Sequence, residues 1–210
     1  MVISQDFTRS GKVFSRSMKL LEALQVFSHS VNAFLEAIDP TQSACLKIAR
    51  TRAEEKYAYV NMVDKLDPLL MEGRAIMWNR LTPDHKDIRD PLVAWACLVV
   101  LGRIKTGWLF FRQLNLRVRY QPGDMVWLRG AILDHEVELW EGEQRICIAH
   151  FTHKSYFEEL GLVCVSAPGV VPLETSPSQK RKRNQTDESV SVHQIKQKKS
   201  RRKMRPKPSP

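Results

Sequence analysis

Apolar residues recur at three- and four-residue intervals from Ser17 onward: Leu20, Leu21, Leu24, Phe27, Val31, Phe34, Leu35 and Ile38. That spacing predicts an amphipathic helix, ended by Pro40. A second helix is predicted from Ser43 to about Asp64, with Leu46, Ala49, Ala53, Tyr57, Val60 and Met62 on or near one face, and Asp67-Pro68 breaks it. After Glu72-Gly73 the rhythm changes. Apolar runs of strand length follow at Ala75–Trp78, Trp95–Leu101, Trp108–Phe111, Leu116–Tyr120, Met125–Leu128, Glu136–Trp140 and Arg145–Phe151. Gly102, Gly107, Gln121-Pro122-Gly123-Asp124 and Glu141-Gly142-Glu143 punctuate them as turns. Helices followed by a run of short strands predict an α+β chain, its strands forming a small β-sandwich or jelly-roll barrel with helices over one face.

From Ser166 the chain fills with Pro, Ser, Gln, Lys and Arg and loses its aromatics. Such a segment cannot offset an ordering entropy of ~1–2 kcal/mol per residue. The organisation expected is a flexible N-terminus over 1–16, supporting helices over 17–72, a β domain over 73–165 and a disordered basic tail over 166–210. Charge sharpens this division. The 210 residues carry 33 Lys+Arg against 23 Asp+Glu, a net +10, and residues 176–210 hold 12 of those bases and two of the acids. The remainder is formally neutral, so the whole excess sits in the tail. No apolar run is long enough to span a membrane, Leu92–Leu101 being the longest. Asp6, Arg9 and Lys12 near the start do not fit a secretory signal. Cys45, Cys97, Cys147 and Cys164 are widely spaced, which argues against a zinc knuckle or a disulfide scaffold and for free thiols in a reducing compartment.

His85-Lys86-Asp87 is an H-x-D triplet, His135 follows 48 residues after Asp87, and Arg145 comes ten residues later. On extended backbone, side chains at i and i+2 point the same way, so both members of the triplet can reach one metal. Two histidines and one carboxylate occupy one face of an octahedral Fe(II) and leave three positions open. A guanidinium meets the far carboxylate of a chelating keto-diacid with two parallel hydrogen bonds. A hairpin across the Glu-Gly-Glu turn is expected to put Arg145 on the strand beside His135. Each element alone is a weak signal, and their order over short strands is much more specific.

The chain resembles the Fe(II)/2-oxoglutarate dioxygenases built on the double-stranded β-helix. Within them it is most similar to the TET/JBP group, in its fungal, often transposon-linked branch. The resemblance covers about residues 75–161. It rests on Asn79-Arg80-x-Thr82-Pro83-x-His85-x-Asp87, on Tyr120-Gln121-Pro122-Gly123-Asp124 leading to Leu128-Arg129-Gly130, on His135, and on Arg145 through Lys154. It implies His85, Asp87 and His135 as Fe(II) ligands and Arg145 as the 2-oxoglutarate clamp. It also implies that Cys147 stands where relatives place a cosubstrate-touching serine. His153 stands where they place a histidine that reaches the flipped base, and Asp90 where they place a base-contacting asparagine. The implied activity is oxidation of the 5-methyl group of a pyrimidine in DNA, 5-methylcytosine foremost, coupled to decarboxylation of 2-oxoglutarate to succinate.

Other residues admit two readings. Asn79 and Arg80 are contacts to cosubstrate or substrate, or a surface strand end paired with Asp84 or Asp90. Trp78, Trp95, Trp127 and Trp140 are core residues, one of which can stack on an extruded base. Arg117 and Arg119 share a strand face that tracks phosphates or is simply solvated. His150 is expected to be structural. The tail clusters, Lys180, Arg181, Lys182, Arg183 and then Lys198, Lys199, Arg201, Arg202, Lys203, resemble a two-part nuclear import signal and also fit a sequence-independent DNA tether. The expectation is a nuclear, monomeric enzyme with DNA and an import receptor as partners and no membrane. The alternatives are the same core acting on RNA, an N-alkylated base or protein, and a non-catalytic DNA-binding relic.

Overall fold

A computed structural model describes residues 8–166; the tail and its basic clusters lie outside the described residues. Four helices lie wholly among the described residues ahead of the strands: α1 (Gly11–Ala23), α2 (Gln25–Ile38), α3 (Pro40–Lys56) and α4 (Ala58–Asp64). The strands follow as β1 (Gly73–Trp78), β2 (Thr82–His85), β3 (Ala96–Thr106), β4 (Trp108–Phe111), β5 (Leu116–Arg119), β6 (Met125–Leu128), β7 (His135–Val137) and β8 (Glu141–Phe151), and α5 (Lys154–Glu159) closes the described chain. The chain is α+β. Its strands form two four-stranded antiparallel sheets, ordered β1-β8-β3-β6 and β2-β7-β4-β5.

The helices differ from the sequence pattern at their ends. The first starts at Gly11, not Ser17, because the Ser10 side chain accepts from Val13 N at 3.2 Å and caps it. The long stripe then divides at Leu24. Pro40 opens α3 at its first position, where a missing N–H costs nothing, and Asp39 caps it by accepting from Gln42 N at 2.9 Å. Tyr57 interrupts the second predicted helix and separates α3 from α4.

Strand β3 explains its unbroken apolar run. Cys97 and Val99 face the helices and join Val31, Leu35, Leu46, Ala49, Ala53 and Ile148 in one core. Leu98 and Val100 face the other way and join Leu109, Phe111, Tyr120 and Leu128 in a second. A strand buried on both faces has no polar alternation to display. Truncating a fully buried leucine such as Leu35 would cost ~2–5 kcal/mol. Two of the expected turns are not turns. Gly102 lies within β3 at φ +111, where the Gln144 carbonyl of β8 leaves no room for a Cβ. Gly142 lies within β8 at φ +142, beside an irregularity of the β3–β8 register. The predicted hairpin is therefore absent: Arg145 on β8 belongs to one sheet and His135 on β7 to the other.

Candidate metal centre

The metal-ligating candidates meet where β2 ends and β7 begins. His85 and His135 are register partners, with ring centroids 4.3 Å apart. Asp87 lies just past β2, and its N–H donates to Gly130 O at 2.9 Å. His85 Nε2 is 3.6 Å from Asp87 Oδ1 and His135 Nε2 is 3.8 Å from Oδ2. One ligand atom from each residue lies within 4.8 Å of the others.

Each histidine is held by the same local device. His85 Nδ1 is 2.9 Å from Pro83 O, and His135 Nδ1 is 3.0 Å from Leu133 O. A carbonyl only accepts, so each Nδ1 carries the proton and each Nε2 presents a lone pair to the carboxylate side. His135 is buried, and that burial holds its pKa below the ordinary value, which keeps the ring neutral as a ligand must be. Gly130 backs the carboxylate. A Cβ there would come within 2.9 Å of Asp87 Cγ and 3.2 Å of its Cβ, with Oδ2 closer still. These donors fit a divalent cation.

Arg145 is 2% exposed. It shares a face of β8 with Cys147 and Ala149, while Ile146 and Ile148 point to the helices. Its N–H donates to Asn79 Oδ1 at 2.8 Å and its Nη1 to Arg80 O at 3.3 Å. Nη2 is buried with no partner among the described residues. The guanidinium lies 5.3 Å from the Tyr120 ring centroid, and Tyr120 Oη is 3.5 Å from Cys147 Sγ. A buried cation with an orphaned donor is costly unless an anion completes it. A carboxylate is the kind of group that would complete this donor set.

A cavity of about 370 Å³ opens beside the triad and reaches the β8 face at Cys147 and Ala149, with Arg145 buried next to it rather than in its lining. Its floor is apolar, with Ala75, Met77, Leu98, Cys147 and Ala149, and both sheets contribute to it. His85, Asp87 and His135 line it together with Asp90 and His153. Asp90 is buried, and desolvation, reinforced by Asp87, pushes its carboxyl up to about 7. At that value it both donates and accepts near neutrality. Glu72 holds His153: it accepts from the backbone N at 3.0 Å and lies 3.4 Å from Nδ1.

Seven of the nine candidates drawn from the β region converge on this cavity or on the Arg145 face beside it. Asn79 does so only by bracing the Arg145 backbone: at φ 50, its side-chain Oδ1 accepts from Arg145 N and its own N donates to Arg145 O at 2.8 Å. Arg80 does not, since its side chain is exposed and only its carbonyl reaches Arg145. Neither pairs with the expected acids; Arg112 holds Asp84 instead, at 2.7 Å. Arg117 pairs with Glu138, as a solvated sheet face would. Trp78 is exposed rather than core, and none of the four tryptophans named above lines the cavity. His150 points to the helical side, fully buried. Glu72 is the functional candidate that sequence reading missed, because Glu72-Gly73 reads only as a boundary.

No family model matches the chain, and no curated protein does. Among solved structures it is similar to NgTET1 in complex with 5mC DNA, at 24% identity and a TM-score of 0.40, covering 44% of this chain and 38% of that one. The chain thus spans well under half the length of that protein. At this level the similarity stands as an observation, and the functional reading rests on the side chains.

Proposed function

We propose that this chain is an Fe(II)- and 2-oxoglutarate-dependent dioxygenase that oxidises the 5-methyl group of a pyrimidine, 5-methylcytosine in DNA, on a double-stranded β-helix whose two walls are the sheets described. One observation carries the reading. A His-x-Asp…His triad with both Nε2 lone pairs turned toward the carboxylate shares a cavity with the β8 face of a buried, incompletely paired arginine. Fe(II) and 2-oxoglutarate, when bound, supply hydroxylation of a C–H bond by O₂, with succinate and CO₂ as co-products.

The chain's own residues do the rest. His85, Asp87 and His135 would hold the metal at the edge of the cavity. Arg145, steadied by Asn79, receives the cosubstrate's far carboxylate, with Cys147 beside it. His153 and Asp90 would orient a base beside the apolar floor of the cavity. Reaching a base inside a duplex requires flipping it out. The helices, 17–72 in the sequence division, support the metal-bearing sheets of 73–165. The tail, through Lys180–Arg183 and Lys198–Lys203, serves nuclear import and holds DNA phosphates.

An anaerobic titration of Fe(II) and 2-oxoglutarate, followed by the weak visible metal-to-ligand band, tests the core. The band should form in the wild type and vanish in His135→Ala and Arg145→Ala. Oxidised 5-methylcytosine should then appear in digests of treated DNA. A folded wild type without the band refutes the oxygenase reading. A band without product on methylated DNA redirects the same core to RNA, an N-alkylated base or protein.

A further inference from the structure

Between β2 and β3 the chain makes a tight turn, and at its tip Ile88 is 76% exposed. A large aliphatic side chain in that position contributes little to folding, yet the turn is built to hold it still. Ile88 N donates to Lys86 O at 3.0 Å and Asp90 N to Asp87 O at 2.9 Å. The start of α5 braces it from outside: Lys154 N donates to Arg89 O at 2.8 Å and Lys154 Nζ to Ile88 O at 3.1 Å. The β-branched side chain is stiff at χ1.

The placement is as telling as the exposure. Ile88 follows Asp87 directly and lines the mouth of the metal cavity. Leu139 and Val163 are equally exposed, at 80% and 79%, and neither lines it. Arg89 follows Ile88 and Lys86 lies two residues before it, both exposed, Lys86 resting 3.5 Å from Asp134, and Lys154 adds a third cation beside the tip. An apolar tip ringed by cations matches one partner chemistry well: stacked bases between phosphate backbones.

We infer that Ile88 is a wedge that enters the base stack of duplex DNA as the target nucleotide swings into the cavity, while Lys86, Arg89 and Lys154 meet the flanking phosphates. This rests on the functional reading above and deepens it. Extrusion leaves a gap beside the neighbouring base pair, and an apolar side chain that fills it lowers the cost of unstacking. The wedge therefore acts on duplexes only. A single strand has no stack to part, so its turnover owes nothing to Ile88.

The test uses the full chain with a duplex and a single strand of one sequence carrying 5-methylcytosine. A second duplex carries 2-aminopurine at the target position, a base quenched in the stack and bright when extruded. Wild type should brighten the duplex. Ile88→Ser should cut both the brightening and the duplex turnover by about tenfold, a modest share of the unstacking cost. Its single-strand turnover and its metal-to-cosubstrate band should match wild type. Ile88→Leu should restore the duplex signals, and Leu139→Ser should leave them unchanged. Equal losses on duplex and single strand, or no loss on either, overturn the wedge while the oxygenase stands. In the second case the exposed tip would serve another partner, such as an apolar protein segment. A wild type that oxidises neither DNA form refutes the function itself and takes the wedge with it.

Discussion

Replacing Gly130 with alanine should weaken metal binding without unfolding the protein. Gly130 N–Cα–C backs Asp87, and an added methyl would come within 2.9 Å of Asp87 Cγ. Ordinary contact begins near 3.4 Å, so Cγ must withdraw by about 0.5 Å and Oδ2, closer still, by more. Metal–ligand distances tolerate only about ±0.2 Å. The Asp87 Cβ, 3.2 Å from the new methyl, is also crowded, so rotating the carboxylate alone does not relieve the clash. Asp87 must therefore leave its position facing the two Nε2 atoms. Losing the support behind one ligand costs roughly 10–100-fold in metal affinity, and the larger end is expected here because the ligand itself moves. The metal-free fold should change by less than about 1 kcal/mol, since Asp87 is about one-third exposed and can swing toward solvent. Anaerobic calorimetry with Fe(II) or Co(II) measures the first quantity, and metal-free thermal unfolding the second. Unchanged affinity in a folded Gly130→Ala protein would refute the assignment of Asp87 as a ligand, as would an equal loss of stability with and without metal.

Three further outcomes follow from the same geometry. Arg145→Met removes a buried, half-paired cation, so the cosubstrate-free protein should be as stable or gain ~1–4 kcal/mol, while the rise in Tm that 2-oxoglutarate and Fe(II) give the wild type disappears; a variant that keeps that rise would show that the clamp lies elsewhere. His150 is buried beside Arg74, and desolvation lowers it to about 4 from 6.5. Between those values the unfolded chain binds a proton that the folded one refuses, so stability should fall as pH drops from 6.5 towards 4, by roughly 3 kcal/mol; His150→Gln should flatten that slope in urea titrations, and an unchanged slope would assign it to other groups. Glu72→Gln should leave the metal-to-cosubstrate band intact and raise KM for methylated DNA several-fold, because His153 loses its carboxylate partner; an unchanged KM would show that His153 does not need holding.

The helices, most strands and the His85–Asp87 pair are legible in the sequence because each is local, while His135 becomes their partner only through the β2–β7 pairing. The β3 run announces burial on both faces, and His85 with Asp87 announces a shared side through a two-residue spacing. What fails is what depends on the other sheet. Glu141-Gly142-Glu143 has the composition of a turn, but β3 pairs across it and Gly142 is absorbed into β8. That moves Arg145 away from the strand next to His135. β2, Thr82–His85, shows no apolar alternation and takes its strand character from pairing with β7. Asn79 looks like a ligand contact because its left-handed φ and its grip on Arg145 N are not written in the residues around it. Gly130 appears in a motif, but its reason, the carboxylate pressed against it, exists only in three dimensions.

Asp39 joins parts that the sequence keeps far apart. Besides capping α3, it accepts from Trp95 Nε1 at 3.2 Å, pairs with Arg129 at 3.8 Å and accepts from Ser166. Arg129 stacks on the Trp95 ring and precedes the glycine whose carbonyl holds the Asp87 N–H. The helical layer and Asp87 are thus joined through two contacts and one peptide link. A minimal fragment cut from the strands alone would strand Arg129 without its counter-charge and slacken the seat of Asp87. Anyone trimming, grafting or recombining this scaffold has to carry the Asp39 turn with the strands, although more than forty residues separate it from His85.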